Sequence, residues 1–202
     1  MSTQERDYLR DIAEIRSMME KSSKFLSLSG WAGIVAGLYA LAGAWTAYSV
    51  FDFYPDELRY STPNLSQVLL MAFAVLILAL VTAFWFSYRK ASQNGESAWN
   101  ATSRRMLSHM AIPLVSGGIL IMLLVMAGLT GLAAPLTLLF YGLGLCNAGI
   151  YTLPEVKVLG LVQVLLGLAG VLFIEYGLLL WAAGFGLVHI IYGTYMHFNY
   201  ER

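Results

Sequence analysis

Charged residues are scarce in this chain, and their scarcity limits what the protein is able to be. Only 12% of its 202 residues are charged, whereas 58% are hydrophobic. A soluble domain of this size needs far more polar surface than that composition supplies. Several apolar runs reach the ~18 residues that mark a membrane-spanning helix. The composition therefore predicts an all-α, polytopic membrane protein.

Other absences exclude further classes of protein. The formal net charge is zero, which argues against a nucleic-acid partner. The single cysteine, Cys146, lies in an apolar run and has no second cysteine with which to form an internal disulfide. We find no phosphate-binding loop, dinucleotide fingerprint, nucleophile elbow or metal-ligand motif, so we expect no cofactor and no metal. No cleavable signal peptide is visible, and we expect none.

The charged residues concentrate in the first 26 residues. There Tyr8, Ile12, Ile15, Met19 and Ser22 recur at spacings of three and four, and charges of both signs cover the other faces. Residues 1–26 are therefore predicted to form a cytoplasmic amphipathic helix. Three roles remain open for it: lying on the membrane surface or against the bundle, forming a short dimerising coiled coil, and binding a partner.

Six membrane spans follow in the transmembrane domain of residues 27–197, before a tail of residues 198–202. They are predicted at residues 27–50, 66–87, 110–130, 132–151, 156–174 and 177–197. The last apolar run must fold back near residues 173–177, because a single helix of that length would exceed the ~30 Å hydrocarbon core. Tight turns are predicted at 131–135 and 151–154, and a second short amphipathic stretch, around Trp99 and Met106, before the third span.

Basic residues predict the orientation of the chain. With the N-terminus inside, the inner segments hold eleven Lys and Arg residues and the outer turns hold only Arg59. This asymmetry predicts an integral protein of the cytoplasmic (inner) membrane with both termini in the cytoplasm.

A glycine pattern recurs along the spans. Gly-x4-Leu-x3-Ala-Gly occurs at residues 33–43, 118–128 and 160–170, and the last two copies share glycines in their return helices, Gly142 with Gly184 and Gly144 with Gly186. We interpret this as three repeated helical hairpins, with Gly128 and Gly170 at close helix crossings. The pattern resembles the small six-span bacterial membrane proteins of the HdeD type. That resemblance implies a stress-related role linked to acid resistance and carries over no functional residue.

Polar side chains inside the spans are the candidate site, because they are costly in lipid and often functional. Asn147, Gln163 and His189 are predicted to share one inner-leaflet layer, which Tyr141, Tyr192 and Ser116 are placed to join. Three interpretations stay open: hydrogen bonds that fix helix packing, a binding site or solute path, and metal or haem ligation by His189. A second set, Asp52, Asp56, Glu57 and Glu175, is predicted to make the outer face acidic.

Three classes of function therefore compete. The first is a non-enzymatic accessory or stress-related protein that binds lipid or a small hydrophobic ligand. The second is a small-solute transporter or channel with its polar site in the inner leaflet, and the third is an intramembrane enzyme. Expected partners are membrane lipid and a second copy of the chain, through the N-terminal helix or the glycine-rich helix faces.

Overall fold

The fold consists of long apolar helices. The computed structural model describes residues 28–93, 95 and 97–201, and every regular element in that part of the chain is helical. Six of these helices are long and apolar enough to cross a membrane, as predicted. They are α1 Gly30–Val50, α2 Leu65–Gln93, α3 Ala101–Met126, α4 Thr130–Ala148, α5 Pro154–Leu172 and α6 Ile174–Tyr200. The predicted amphipathic helix of residues 1–26 lies outside the described residues.

Helix α3 begins nine residues before the predicted third span. Asn100 accepts a hydrogen bond from the Ser103 amide, and the Ser103 hydroxyl accepts one from the Asn100 amide, so the two residues form a reciprocal cap. The stretch around Met106 is consequently the first part of α3. The predicted amphipathic stretch is thus continuous with the third span, because the polar residues after Asn100 do not interrupt the helix.

The turn between α3 and α4 also differs from the prediction. Gly128 has a φ of +80° and ends α3, while the Leu129 amide bonds back to the Leu124 carbonyl. This arrangement is a Schellman motif, which requires the left-handed conformation that glycine adopts freely. Gly128 is therefore a helix terminator and not a close helix crossing, contrary to the prediction. The predicted turn at 131–135 is helical, and α4 opens there with one 3-10 turn, Thr130–Leu132.

Helix α6 changes its helical geometry along its length. Phe173 ends α5, and a 3-10 turn, Ile174–Tyr176, follows at the predicted fold-back point. An α-helical segment, Gly177–Trp181, then leads into a π-helical segment, Ala182–Val188, and a final α-helical segment, His189–Tyr200. The backbone hydrogen bonds of a π-helix join residues five apart, where those of an α-helix join residues four apart, and π-helical turns are frequently found at functional sites.

The helices pack in two groups. In the α1–α2 group, α1 contacts α2 on one side and the second half of α6 on the other; in the α3–α5 group, α4 lies between α3 and α5. Glycines lie at the close contact between α1 and α6 and at the close contact between α4 and α5. A Cβ on Gly37 of α1 would lie 2.7 Å from the Gly186 carbonyl oxygen of α6, and a Cβ on Gly142 of α4 would lie 2.6 Å from that of Gly160 on α5. Because glycine has no side chain, the backbones of these helices approach each other closely.

The bundle has two distinct ends. The loop end carries the connection of residues 51–64 and the turns around Gly128 and Phe173. The terminal end carries the start of α1, the end of α2 and Glu201, which are joined through Lys90.

Candidate functional site

Three helices bring polar side chains together inside the bundle. His189 of α6 and Gln163 of α5 are buried, and Gln163 is 0% exposed. The Tyr141 hydroxyl of α4 lies 3.0 Å from His189 Nε2, and Gln163 Nε2 lies 2.8 Å from the Gly184 carbonyl oxygen. We call Tyr141, Gln163 and His189 the polar cluster. His189 thus faces the bundle interior with Gln163.

Hydrogen bonding assigns the histidine tautomer. His189 Nδ1 lies 2.9 Å from the Gly184 carbonyl oxygen, which only accepts, so Nδ1 carries the proton and donates. Nε2 is then an acceptor for the Tyr141 hydroxyl. Gln163 Nε2 donates to the same Gly184 carbonyl. Both ring nitrogens are therefore satisfied within the bundle, and the Gly184 carbonyl receives two donors from different helices.

Aromatic rings extend the polar cluster along α6. Trp181, Phe185 and His189 follow one another at four-residue spacing, with neighbouring ring centroids 5.0 and 5.8 Å apart. Tyr141 packs against Phe185 at 5.0 Å. The Trp181 indole donates to the Thr137 hydroxyl of α4 at 3.0 Å. These contacts join α4 to α6 on both sides of the π-helical segment.

Within the part of the chain that the structure describes, the remaining predicted members of the layer make no hydrogen bond to the polar cluster. Asn147 Nδ2 donates to the His109 carbonyl oxygen of α3 at 3.3 Å, and the Ser116 hydroxyl bonds to the Ile112 carbonyl of its own helix. Tyr192 packs against an apolar cluster that includes Leu145 and Leu159 and that Tyr141 also contacts, so it lies beside the polar cluster. Asn147 and Ser116 therefore do not join the polar cluster, because a similar depth along the membrane normal does not specify which way a helix faces.

One atom of the polar cluster has no hydrogen-bond partner. Gln163 Oε1 is buried and accepts from no donor among the described residues. A Cβ on Gly184 would lie 2.6 Å from this oxygen, so the Gly184 Cα hydrogens occupy the space beside it. A buried polar atom without a partner costs about 1–3 kcal/mol. The polar cluster is therefore well connected and incompletely satisfied.

A pocket opens at the loop end. It has a volume of about 650 Å³, and its lining comprises Asp56, Glu57, Leu58, Arg59, Leu129, Leu172, Phe173, Ile174 and Glu175. Three of these side chains are carboxylates, one is a guanidinium and five are apolar. We call this space the loop-end pocket. It gathers three of the four predicted acidic residues, whereas Asp52 lies apart from its lining.

Specific bonds hold the 51–64 connection over the pocket. The Gly131 amide donates to the Leu58 carbonyl at 3.2 Å, and the Thr130 hydroxyl donates to the Tyr60 carbonyl. Arg59 reaches the Ala127 carbonyl at 3.5 Å. A side chain at Gly131 would meet the Glu57 carbonyl, so glycine is needed there for the loop to approach. These contacts were not predicted, because they join residues about seventy positions apart.

An ionic cluster at the terminal end was likewise not predicted. The Glu201 carboxylate accepts from the Gly30 amide at 2.9 Å, from Lys90 at 3.2 Å and from His197 at 2.8 Å. Burial raises the pKa of this carboxyl, but the hydrogen bonds from His197, Gly30 and Lys90, together with the Lys90 charge, outweigh it, and the pKa lies below its ordinary value. Glu201 thus caps α1 and joins it to α2 and α6.

No group of three or more His, Cys, Asp or Glu side chains is placed to hold a metal ion in the part of the chain that the structure describes. Comparison of the chain with protein-family models, with curated proteins and with solved structures gives no match.

Proposed function

We propose that this protein is a non-enzymatic membrane protein that binds a small amphipathic molecule, with a positive charge and an apolar body, in the loop-end pocket. The observation that carries the proposal is the lining of that pocket. The lining contains three carboxylates, from Asp56, Glu57 and Glu175, and one cationic side chain, that of Arg59. Apolar side chains from α5 and α6 lie beside them. Binding sites for small molecules are typically apolar concavities with a few polar groups that fix orientation.

The charge of the pocket supports a cation as the preferred ligand. With all four groups ionised, three carboxylates and one guanidinium give a formal charge of −2 (−3 + 1). Arg59 is partly engaged by the Ala127 carbonyl. The carboxylates then offer the stronger attraction to an incoming charge. Leu172, Phe173 and Ile174 provide the apolar contact at the place where a bilayer's hydrocarbon begins.

The polar cluster supports the two other functions less well. Its histidine and tyrosine are bonded to each other and to backbone, and Asn147 and Ser116 bond elsewhere. A solute path through the inner leaflet would need polar groups left available to the solute. For the same reason we assign the cluster a structural role, in place of acid–base catalysis or metal ligation.

The orientation completes the proposal. The distribution of Lys and Arg favours the cytoplasmic membrane with both termini inside, which puts the loop-end pocket on the outer face. A cationic amphiphile arriving from outside would meet the pocket directly. The resemblance to HdeD-type proteins adds an accessory, stress-related role, and membrane lipid and a second copy of the chain remain the proposed partners.

The three-hairpin repeat is also part of the proposal, on the strength of the glycine pattern. The two copies differ locally: a Cβ on Gly118 would meet nothing within 4 Å, whereas one on Gly160 would lie 2.8 Å from the Cys146 amide nitrogen. Superposing residues 112–151 on 154–193 tests the repeat. Gly118 must overlay Gly160 when Gly142 overlays Gly184.

A matched pair of ions tests the binding proposal. Tetraphenylphosphonium and tetraphenylborate have nearly the same shape and opposite charges. Purified protein in nanodiscs of neutral lipid should retain the cation in equilibrium dialysis well above the level of empty nanodiscs, and should retain no excess of the anion. Equal retention of both ions, or none, would contradict the proposal.

A further inference from the structure

Helix α6 changes its packing partner at the π-helical segment. Its first α-helical segment, Gly177–Trp181, packs mainly on α4 and α5, whereas its last, His189–Tyr200, packs mainly on α1. Gly177 lies against Pro135 of α4, and Gly193 lies against Gly30 and Ile34 of α1. The π-helical segment between them thus joins the α3–α5 group to the α1–α2 group.

The loop-end pocket lies between the same two groups. Asp56, Glu57, Leu58 and Arg59 belong to the connection between α1 and α2, whereas Leu129, Leu172 and Phe173 belong to the α3–α5 group. Ile174 and Glu175, which complete the lining, belong to the start of α6 itself. Movement of one group against the other widens this pocket once the bonds from Thr130, Gly131 and Arg59 that tie the connection to the α3–α5 group are broken.

Polar bonds from the α3–α5 group hold the π-helical segment. Gln163 of α5 donates to the Gly184 carbonyl inside the segment, and Tyr141 of α4 bonds to His189 at its end. The burial of Gln163 Oε1 without a donor means that this arrangement lacks one hydrogen bond. A buried polar group left unpaired in a native structure is one sign of strain, and π-helical turns are sites where helices bend.

We propose that the π-helical segment Ala182–Val188 is a hinge, and that movement of the two helix groups about it opens and closes the loop-end pocket. The proposal rests on the proposed function, since it names how access to that pocket is regulated. A π-helical turn contains one residue more than the α-helical turn it replaces. If the segment became α-helical, one half of α6 would rotate against the other by about 100° and shift by about 1.5 Å. The polar cluster holds the π-helical form, and Gln163 is its positioning residue.

Distances between the two groups test the hinge. Spin labels at Trp45 of α1 and Leu165 of α5, which are 71% and 66% exposed, report on the two groups without entering their contacts. Cys146 is replaced by Ser in this background, and the protein is measured in nanodiscs by double electron–electron resonance. Gln163→Leu removes the bond to Gly184. Asn147→Leu is the matched control, because it removes an interhelical amide bond within the α3–α5 group.

The hinge predicts a shifted or second distance population for Gln163→Leu and an unchanged one for Asn147→Leu. It also predicts that tetraphenylphosphonium affinity changes by about tenfold in Gln163→Leu, because a change in the population of the binding-competent state changes apparent affinity in proportion. Tyr141→Phe, which also loosens the polar cluster, serves if Gln163→Leu does not fold.

The outcomes separate this proposal from the proposed function. In the first outcome the protein binds tetraphenylphosphonium, and Gln163→Leu has the same distances and the same affinity as the wild type. This outcome would overturn the hinge and leave the binding function intact. A shifted distance in Gln163→Leu with no binding of the cation in any variant would support the hinge and overturn the binding function. Equal shifts in Gln163→Leu and Asn147→Leu would also overturn the hinge, since general loosening would explain both.

Discussion

Tyr141 of α4 donates its hydroxyl proton to His189 Nε2 of α6 over 3.0 Å, and the other ring nitrogen of His189 donates to the Gly184 carbonyl. Both ring nitrogens of the imidazole are therefore engaged, in a setting where a ring nitrogen without a partner would be costly. The pair connects the first residue after the π-helical segment to a neighbouring helix. We regard it as the bond that fixes the orientation of this part of α6.

Removing the Tyr141 hydroxyl tests that role. Tyr141→Phe leaves His189 Nε2 as a buried acceptor without a donor, and should lower the free energy of unfolding by about 1–2 kcal/mol. Thermal unfolding in detergent is the measurement. Tyr176→Phe, at a half-exposed tyrosine of α6, is the control and should unfold like the wild type. If both variants match the wild type, the hydroxyl has no structural role.

The glycines of the repeat pattern give a matched pair of packing variants. A methyl group at Gly160 would lie 2.8 Å from the Cys146 amide nitrogen and the Gly142 carbonyl oxygen, so Gly160→Ala should destabilise the protein by about 1–3 kcal/mol through overpacking. Gly118→Ala meets open space and should be neutral or slightly stabilising, because alanine favours the helix. Equal melting temperatures for the two variants would show that the α4–α5 contact is looser than described.

The Glu201 cluster predicts a dependence of stability on pH. A carboxyl whose pKa is lower in the folded than in the unfolded protein stabilises the fold above its unfolded pKa, near 4.5, and loses that contribution as the pH falls through the folded value. Melting temperature in detergent should therefore fall below about pH 4.5. Glu201→Gln should melt lower at pH 7 and show a weaker fall. A wild-type and variant pair with parallel pH profiles would contradict the assignment of this effect to Glu201.

Cysteine labelling tests the orientation. In a Cys146→Ser background, an impermeant maleimide added to intact cells should label Asp56→Cys, which lies in the exposed connection at the loop end. Ser97→Cys, in the connection between α2 and α3, should react only after the membrane is broken. The opposite pattern would place the loop-end pocket in the cytoplasm and remove the basis for capture of ligands from outside.

Sequence alone predicts the helical part of this fold well, because long apolar runs and their polar breaks determine the spans. The fold-back at Phe173 followed from hydropathy. The turn after α3 did not, since Gly128 reads equally as a packing glycine and as a helix terminator. The positive φ of Gly128 and the hydrogen bond from the Leu129 amide distinguish the two.

The candidate sites were harder to predict. Gln163 and His189 converge, whereas Asn147 faces α3, because the rotation of each helix is set by contacts that hydropathy does not record. The partners of Arg59 and Glu201 lie 68 and 171 residues away in the chain. Such pairs depend on the tertiary arrangement, and the π-helical segment has no sequence signature that we recognise.

The central claim is that the carboxylates of the loop-end pocket bind an amphipathic cation, and the most direct test compares acidic residues inside and outside its lining. Glu57→Gln and Glu175→Gln each remove a lining carboxylate, whereas Asp52→Asn removes a carboxylate from the same exposed connection without touching the lining. We predict that each glutamate variant weakens tetraphenylphosphonium binding to the protein in neutral-lipid nanodiscs by about fivefold or more. This is the effect expected for the loss of a charge beside a bound cation. Asp52→Asn should bind tetraphenylphosphonium like the wild type. Equal affinity for all four proteins, or equal weakening by all three variants, would contradict the account.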